Sequence, residues 1–176
     1  MQALFTLTPA ESRRLIAKAV ALLPEVRRAQ AAGRIIIGNP TGGTMGAVYN
    51  TVFLRNAKLI IPVGLEKLVP SVLDAAAFGG MHTWDLCLGL RCALWPVTGA
   101  TVITEIEALS VLAGVEAVHF ASGGIGNSAG AVTLAIAGED GPVRAAFELV
   151  KSIKGEPPLA DAKRPCSECE NHCDRF

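Results

Sequence analysis

A chain of 176 residues sets a single α/β domain over 1–155, followed by a small appendage over 156–176, as the expectation. With 51% hydrophobic and 18% charged residues, intrinsic disorder is excluded. Lys and Arg together number 16, as do Asp and Glu, and a formal charge of zero excludes a protein that holds nucleic acid by bulk charge.

Thr8-Pro9-Ala10-Glu11 is a capping box with proline at the first helical position, and it predicts a helix starting there. Leu15, Ala19, Leu22 and Val26 follow at helical spacing, Pro24 bends or restarts the helix, and Gly33 ends it. Arg34 to Ile37 is a short β-branched run of the kind buried in a parallel sheet. A glycine-rich turn, Gly38 to Gly46, leads into a helix from about Thr44 to Arg55, and Lys58 to Val63 reads as a second strand. Leu65 to Ala77 is helical in composition, residues 78–97 show no clean period, and Ala100 to Ile103 is a third strand.

Thr104 to Glu107 is a second capping box, and Gly114 closes its helix. Val115 to Ala121 and Ala131 to Ala137 alternate like antiparallel strands, joined by a glycine-rich connection from Ser122 to Gly130. Pro142 opens a last helix whose Val143, Ala146, Phe147, Val150 and Ile153 share one face, and Gly155 stops it. Alternating strands and helices predict an α/β fold with an open, mostly parallel sheet flanked by helices.

No basic, apolar leader precedes the first helix, and charges interrupt every long apolar stretch, so a cytoplasmic protein without a membrane span is expected. The apolar content exceeds what a monomer of this size hides easily, which predicts a homo-oligomer. Five cysteines without a secretory context argue against a disulfide framework. Cys87 and Cys92 sit among apolar residues and read as core. Cys166, Cys169 and Cys173 form a C-x2-C-x3-C tail able to fold around one metal centre, iron–sulfur or zinc, with the missing fourth ligand open to Cys92, Cys87, His82, a substrate atom or a neighbouring subunit. Three free thiols in an unstructured tail fit the same spacing.

In an open parallel sheet, ligands bind where strands end and helices begin. The first strand leads into Asn39-Pro40-Thr41-Gly42-Gly43-Thr44-Met45-Gly46, where bare amides, the Thr41 and Thr44 hydroxyls and a helix N-terminus suit a phosphate or carboxylate. A Walker lysine is missing, since Thr44 occupies its position, and the glycines also fit a plain tight turn. The second strand ends at Glu66 and Lys67, which suit a general base and a charge-stabilising partner, or equally a solvated first turn. At the third strand end, Thr104 and Glu107 are occupied as the capping box, leaving Glu105 expected in solvent. His82 and Asp85 fit a pocket wall or a partly buried polar group, and His119 fits a structural place within its strand.

The order of these motifs resembles the superfamily of ribose-5-phosphate isomerase, glucosamine-6-phosphate deaminase and CoA transferases. The likeness rests on the loop from Gly38 to Gly46 and on the strand ends near Glu66 and Thr104. The segment from about Leu94 to Lys154 is similar to the ferredoxin-like insertion of some members. The resemblance implies a small anionic ligand of the sugar-phosphate or acyl-CoA type. It matches no catalytic motif residue for residue, and the cysteine tail is foreign to the family. Three functional expectations therefore stand: proton-transfer chemistry on a phosphorylated or carboxylated metabolite, a metal or redox protein built on the tail, and a non-catalytic oligomeric assembly protein.

Overall fold

Both capping boxes form. Thr8 Oγ1 accepts the Glu11 amide at 3.4 Å while the Glu11 carboxylate accepts the Thr8 amide at 2.8 Å, and Glu107 returns the same bond to Thr104, also at 2.8 Å. The computed structural model describes residues 1–22, 35–39, 43–55, 57–80, 83–88, 91–97 and 99–157, with 35–39, 43–45 and 53 described through their backbone alone. Along these residues the chain runs β1 (Gln2–Leu7), α1 (Pro9–Ala21), β2 (Ile35–Asn39), α2 (Gly43–Leu54), β3 (Ile60–Pro62), α3 (Val72–Phe78), β4 (Ala93–Val97), β5 (Thr101–Ile103), α4 (Glu105–Ala113), β6 (Glu116–Ser122), β7 (Val132–Ala137) and α5 (Asp140–Ile153). Single 3-10 turns occupy Leu65–Lys67 and Gly126–Ser128. No helix among the described residues is long and apolar enough to cross a membrane.

Two compact units emerge. The first comprises the described residues of Met1–Ala32, Ile60–Leu68 and Thr101–Leu159, and the second those of Gly33–Leu59 and Val69–Ala100.

In the first unit β1, β7 and β6 form an antiparallel sheet in that order, with Phe5 opposite Leu134 and Leu7 opposite Val132. Alternation turns Phe5, Leu7, Leu134 and Ile136 toward the helices, where all are buried. Leu15, Ile16 and Ala19 of α1, Ala108 and Leu109 of α4, and Val143, Ala146, Val150 and Ile153 of α5 complete this core. Burying a side chain of leucine or isoleucine size contributes about 1.5–3 kcal/mol, so this face carries most of the unit's cohesion. Phe147, expected on the same stripe, is 45% exposed because it lies one position off the buried i, i+3, i+7 spacing. On the other face of the sheet Leu4, Val118 and Phe120 remain exposed. A separate parallel pair joins β3 to β5, Ile60 opposite Thr101.

The second unit holds an antiparallel pair, β2 with β4, together with α2 and α3. Tyr49 of α2 meets Trp95 of β4 edge to face, ring centroids 4.2 Å apart. Ser71 caps α3 by accepting the Asp74 amide at 3.2 Å.

The mixture of helices and strands agrees with the sequence, but the pairing differs from a mostly parallel open sheet. Among the described residues β3–β5 is the one parallel pair. The β-branched run of β2 pairs antiparallel with β4 in a stretch that showed no period, and β1 was not anticipated at all. β6 and β7, expected within the ferredoxin-like portion, take their third strand from β1 at the other end of the sequence. Cys87 and Cys92 are half-buried rather than core residues.

Candidate functional site

The polar groups worth attention lie at the carboxyl ends of β3 and β5, within the first unit. The Val63 amide extends the parallel pairing by donating to the Ile103 carbonyl at 3.0 Å. The chain then turns at Gly64 into the 3-10 turn Leu65–Lys67, pinned by the buried Leu65. Beside it α4 begins, capped by Thr104, which receives the Ile106 amide at 3.2 Å. Because Thr104 and Glu107 already satisfy the helix end, Glu105 is free to point elsewhere.

It points inward. Glu105 is fully buried, where solvent exposure was expected, and its Oε2 accepts the Leu65 amide at 3.0 Å. The helical period explains this: Glu105 heads the stripe continued by the buried Ala108 and Leu109. Ser12 does the same on α1, ahead of Leu15, Ile16 and Ala19, and is 1% exposed. α1 packs on α4, so the two polar residues at the heads of the two apolar stripes meet.

Three buried oxygens in this neighbourhood lack a hydrogen-bond partner: Glu105 Oε1, Ser12 Oγ and Glu66 Oε2. Glu66 itself is half-buried, and its carboxylate folds back over Gly64, where a Cβ would lie 1.8 Å from Oε2. Burial pushes the Glu105 carboxyl above the ordinary carboxylate range. Its own amide, the Ser12 hydroxyl and the Leu65 amide pull the other way, and the charge of Glu66 adds to the rise. Lys67 is exposed at the end of the turn.

Glu11 is the first unit's other buried carboxylate among the described residues, and it is fully partnered. Its oxygens accept the Thr8 amide at 2.8 Å, the Gly155 amide at 3.0 Å and the Lys154 ammonium at 2.9 Å. Burial alone would raise this carboxyl, but those donors together hold it below the usual range. Lys154 also donates to the Thr6 carbonyl, so one side chain ties the ends of β1, α1 and α5.

The glycine- and threonine-rich turn falls in the second unit. β2 ends at Asn39 and α2 starts at Gly43, so a strand does lead into a helix N-terminus there, with Thr44 in its first turn and Gly46 farther inside the helix. Thr41 and Gly42 lie outside the described residues. Because β2 is paired antiparallel, the switch-point argument for this turn lapses, and the helix end alone supports anion binding. Glu66 and Lys67 belong to the other unit.

Cys166, Cys169 and Cys173 lie outside the described residues, as does His82, whereas Asp85 and Trp84 are exposed. Among the described residues no group of three or more His, Cys, Asp or Glu is arranged to hold a metal. No family model, curated protein or solved structure matches the chain.

Proposed function

We propose that the first unit carries out proton transfer on a small metabolite, with Glu66 as the group that takes and returns the proton. The observation that carries this reading is the pairing of Glu66 with the buried Glu105 at the ends of two parallel strands, each with a buried oxygen that lacks a partner. Natural proteins leave few such atoms, and a concentration of them marks a place where a ligand, a water or a proton belongs. Two neighbouring carboxyl groups, one of them raised above the ordinary range by burial, suit a division of labour between base and acid. Lys67, exposed at the rim, stabilises negative charge that develops on the substrate.

A phosphorylated or carboxylated ligand is the class proposed for the turn of Asn39, Thr41, Gly42, Gly43, Thr44 and Gly46 in the second unit. Its support is the helix N-terminus at Gly43. The test of both uses a panel of sugar phosphates and keto acids in deuterated water. Exchange of a carbon-bound proton, followed by NMR and lost in Glu66→Gln, supports the proton-transfer reading; no exchange with any member counts against it. A thermal shift with inorganic phosphate that disappears in Gly43→Val supports the anion seat.

The C-x2-C-x3-C spacing supports a second reading, in which Cys166, Cys169 and Cys173 hold iron–sulfur or zinc. The exposed Leu4, Val118 and Phe120 support a homo-oligomer in which a second copy covers that sheet face.

A further inference from the structure

Side chains alternate along a strand, so residues three apart point to opposite faces. His119 and Ser122 of β6 nevertheless meet, Nε2 to Oγ at 2.6 Å. The strand is not regular between them. His119 stands opposite Leu134 while Ala121 stands opposite Thr133, so two steps on β6 match one on β7 and Phe120 is the extra residue of a bulge. Such a bulge re-aims the side chains beyond it, which brings Ser122 to the same side as the imidazole.

The chain after Ser122 holds the pair in place and leaves its approach open. The Gly123 amide donates to the Ala131 carbonyl at 3.0 Å, continuing the ladder past the strand end. Within the connection the Ser128 amide donates to the Ile125 carbonyl at 3.2 Å and the Ala131 amide to the Ser128 carbonyl at 2.9 Å. Gly124 has φ +144°, and a Cβ there would lie 2.1 Å from the Ser128 oxygen, so this close approach needs glycine. The amides of Gly124 and Ile125 have no partner among the described residues. Ser122 and the following glycines are exposed, so a substrate reaches the hydroxyl from solvent.

A hydroxyl within hydrogen-bond reach of an imidazole nitrogen, beside unengaged main-chain amides, is the minimum arrangement for nucleophilic acyl transfer. We propose that Ser122 is a nucleophile toward activated acyl esters, with His119 as its general base. Oγ bonds to the carbonyl carbon as Nε2 takes the hydroxyl proton, giving a tetrahedral oxyanion. Its collapse breaks the bond to the leaving oxygen, which departs with the proton from His119 and leaves an ester on Ser122. Water, deprotonated by His119, then attacks that ester, releases the carboxylic acid and restores the hydroxyl. No carboxylate holds Nδ1 among the described residues. The imidazolium is therefore stabilised less than in a three-residue system, which restricts the class to esters with good leaving groups and excludes amides.

The test treats the full chain with a fluorophosphonate probe, maps the modified peptide by mass spectrometry, and follows p-nitrophenyl acetate cleavage. The expected result is one label, on Ser122, absent in Ser122→Ala and retained in Ser110→Ala. His119→Gln should slow both labelling and ester cleavage by about 100-fold or more, the range of a lost general base. Circular dichroism of each variant confirms that it folds. An unlabelled Ser122, or labelling that proceeds at the same rate in His119→Gln, overturns the proposal.

Discussion

Removing the Glu11 carboxylate should cost more than a surface ion pair, and the cost follows from its contacts. Glu11 is 4% exposed and accepts two backbone amides, from Thr8 and Gly155, besides the Lys154 ammonium. A hydrogen bond to a charged group contributes about 1.5–3 kcal/mol, and an amide left without its acceptor bears a desolvation penalty. The lysine is 46% exposed, so water screens its share to about 1 kcal/mol or less. Glu11→Ala should therefore lose about 3–4 kcal/mol, a large part of the 5–15 kcal/mol typical of a folded domain. Glu11→Gln keeps one oxygen acceptor and should lose about half as much. Because the folded carboxyl is held below the usual range, its contribution is complete above the ordinary glutamate value and drains as pH falls through the lowered one. Urea unfolding followed by circular dichroism should show the gap between wild type and Glu11→Gln closing in acid. A gap below about 0.5 kcal/mol, or one that does not change with pH, would refute this account of the contact.

Glu105 carries the opposite sign. Its carboxyl is raised in the folded protein, so stability falls as pH rises from the ordinary glutamate value of about 4.3. Glu105→Gln removes that fall, and the variant should gain on the wild type as pH rises above the ordinary glutamate value; parallel pH profiles in urea would count against it. Gly124→Ala forces a side chain into a positive-φ position against the Ser128 carbonyl and should cost about 1–3 kcal/mol by thermal unfolding, whereas an unchanged melting point would mean the connection relaxes freely. Protein purified without reconstitution should carry zinc or show visible iron–sulfur absorbance that disappears in Cys166→Ser with Cys169→Ser; metal-free protein with three titratable tail thiols removes that reading.

Local signals were legible where the physics is local. Thr8, Glu11, Thr104 and Glu107 announced two helix starts because a capping box is satisfied within four residues, and Gly114 announced a stop because its φ of +66° suits glycine. The alternation in β6 and β7 was also readable. Pairing was not. Nothing near Ile35 says that its neighbour will be Val97 running antiparallel, since that depends on a strand containing Pro96. β1 was hidden for the same reason: four of its six residues are apolar, and its period becomes visible only once β7 turns Phe5 and Leu7 inward. Glu105 and Ser12 do carry a signal in the sequence. Each lies three and four residues ahead of apolar positions on its helix, which places both on the buried stripe despite their polarity. The bulge in β6 leaves no mark in composition, so the meeting of His119 with Ser122 could be seen only in the fold.

The pairing of β1 with β7 shapes how this chain is made. Thr6 and Thr133, opposite each other in the sheet, are 127 residues apart. At a synthesis rate of about 5–20 residues per second, the first strand waits roughly 6–25 s for its neighbour to leave the ribosome. The hairpin of β6 and β7 closes over a short span and supplies the template onto which the early strand docks. Until then Phe5, Leu7, Leu15 and Ile16 are bare on the nascent chain, a natural target for a holding chaperone. Crowded translation without such help should favour aggregation over slow docking.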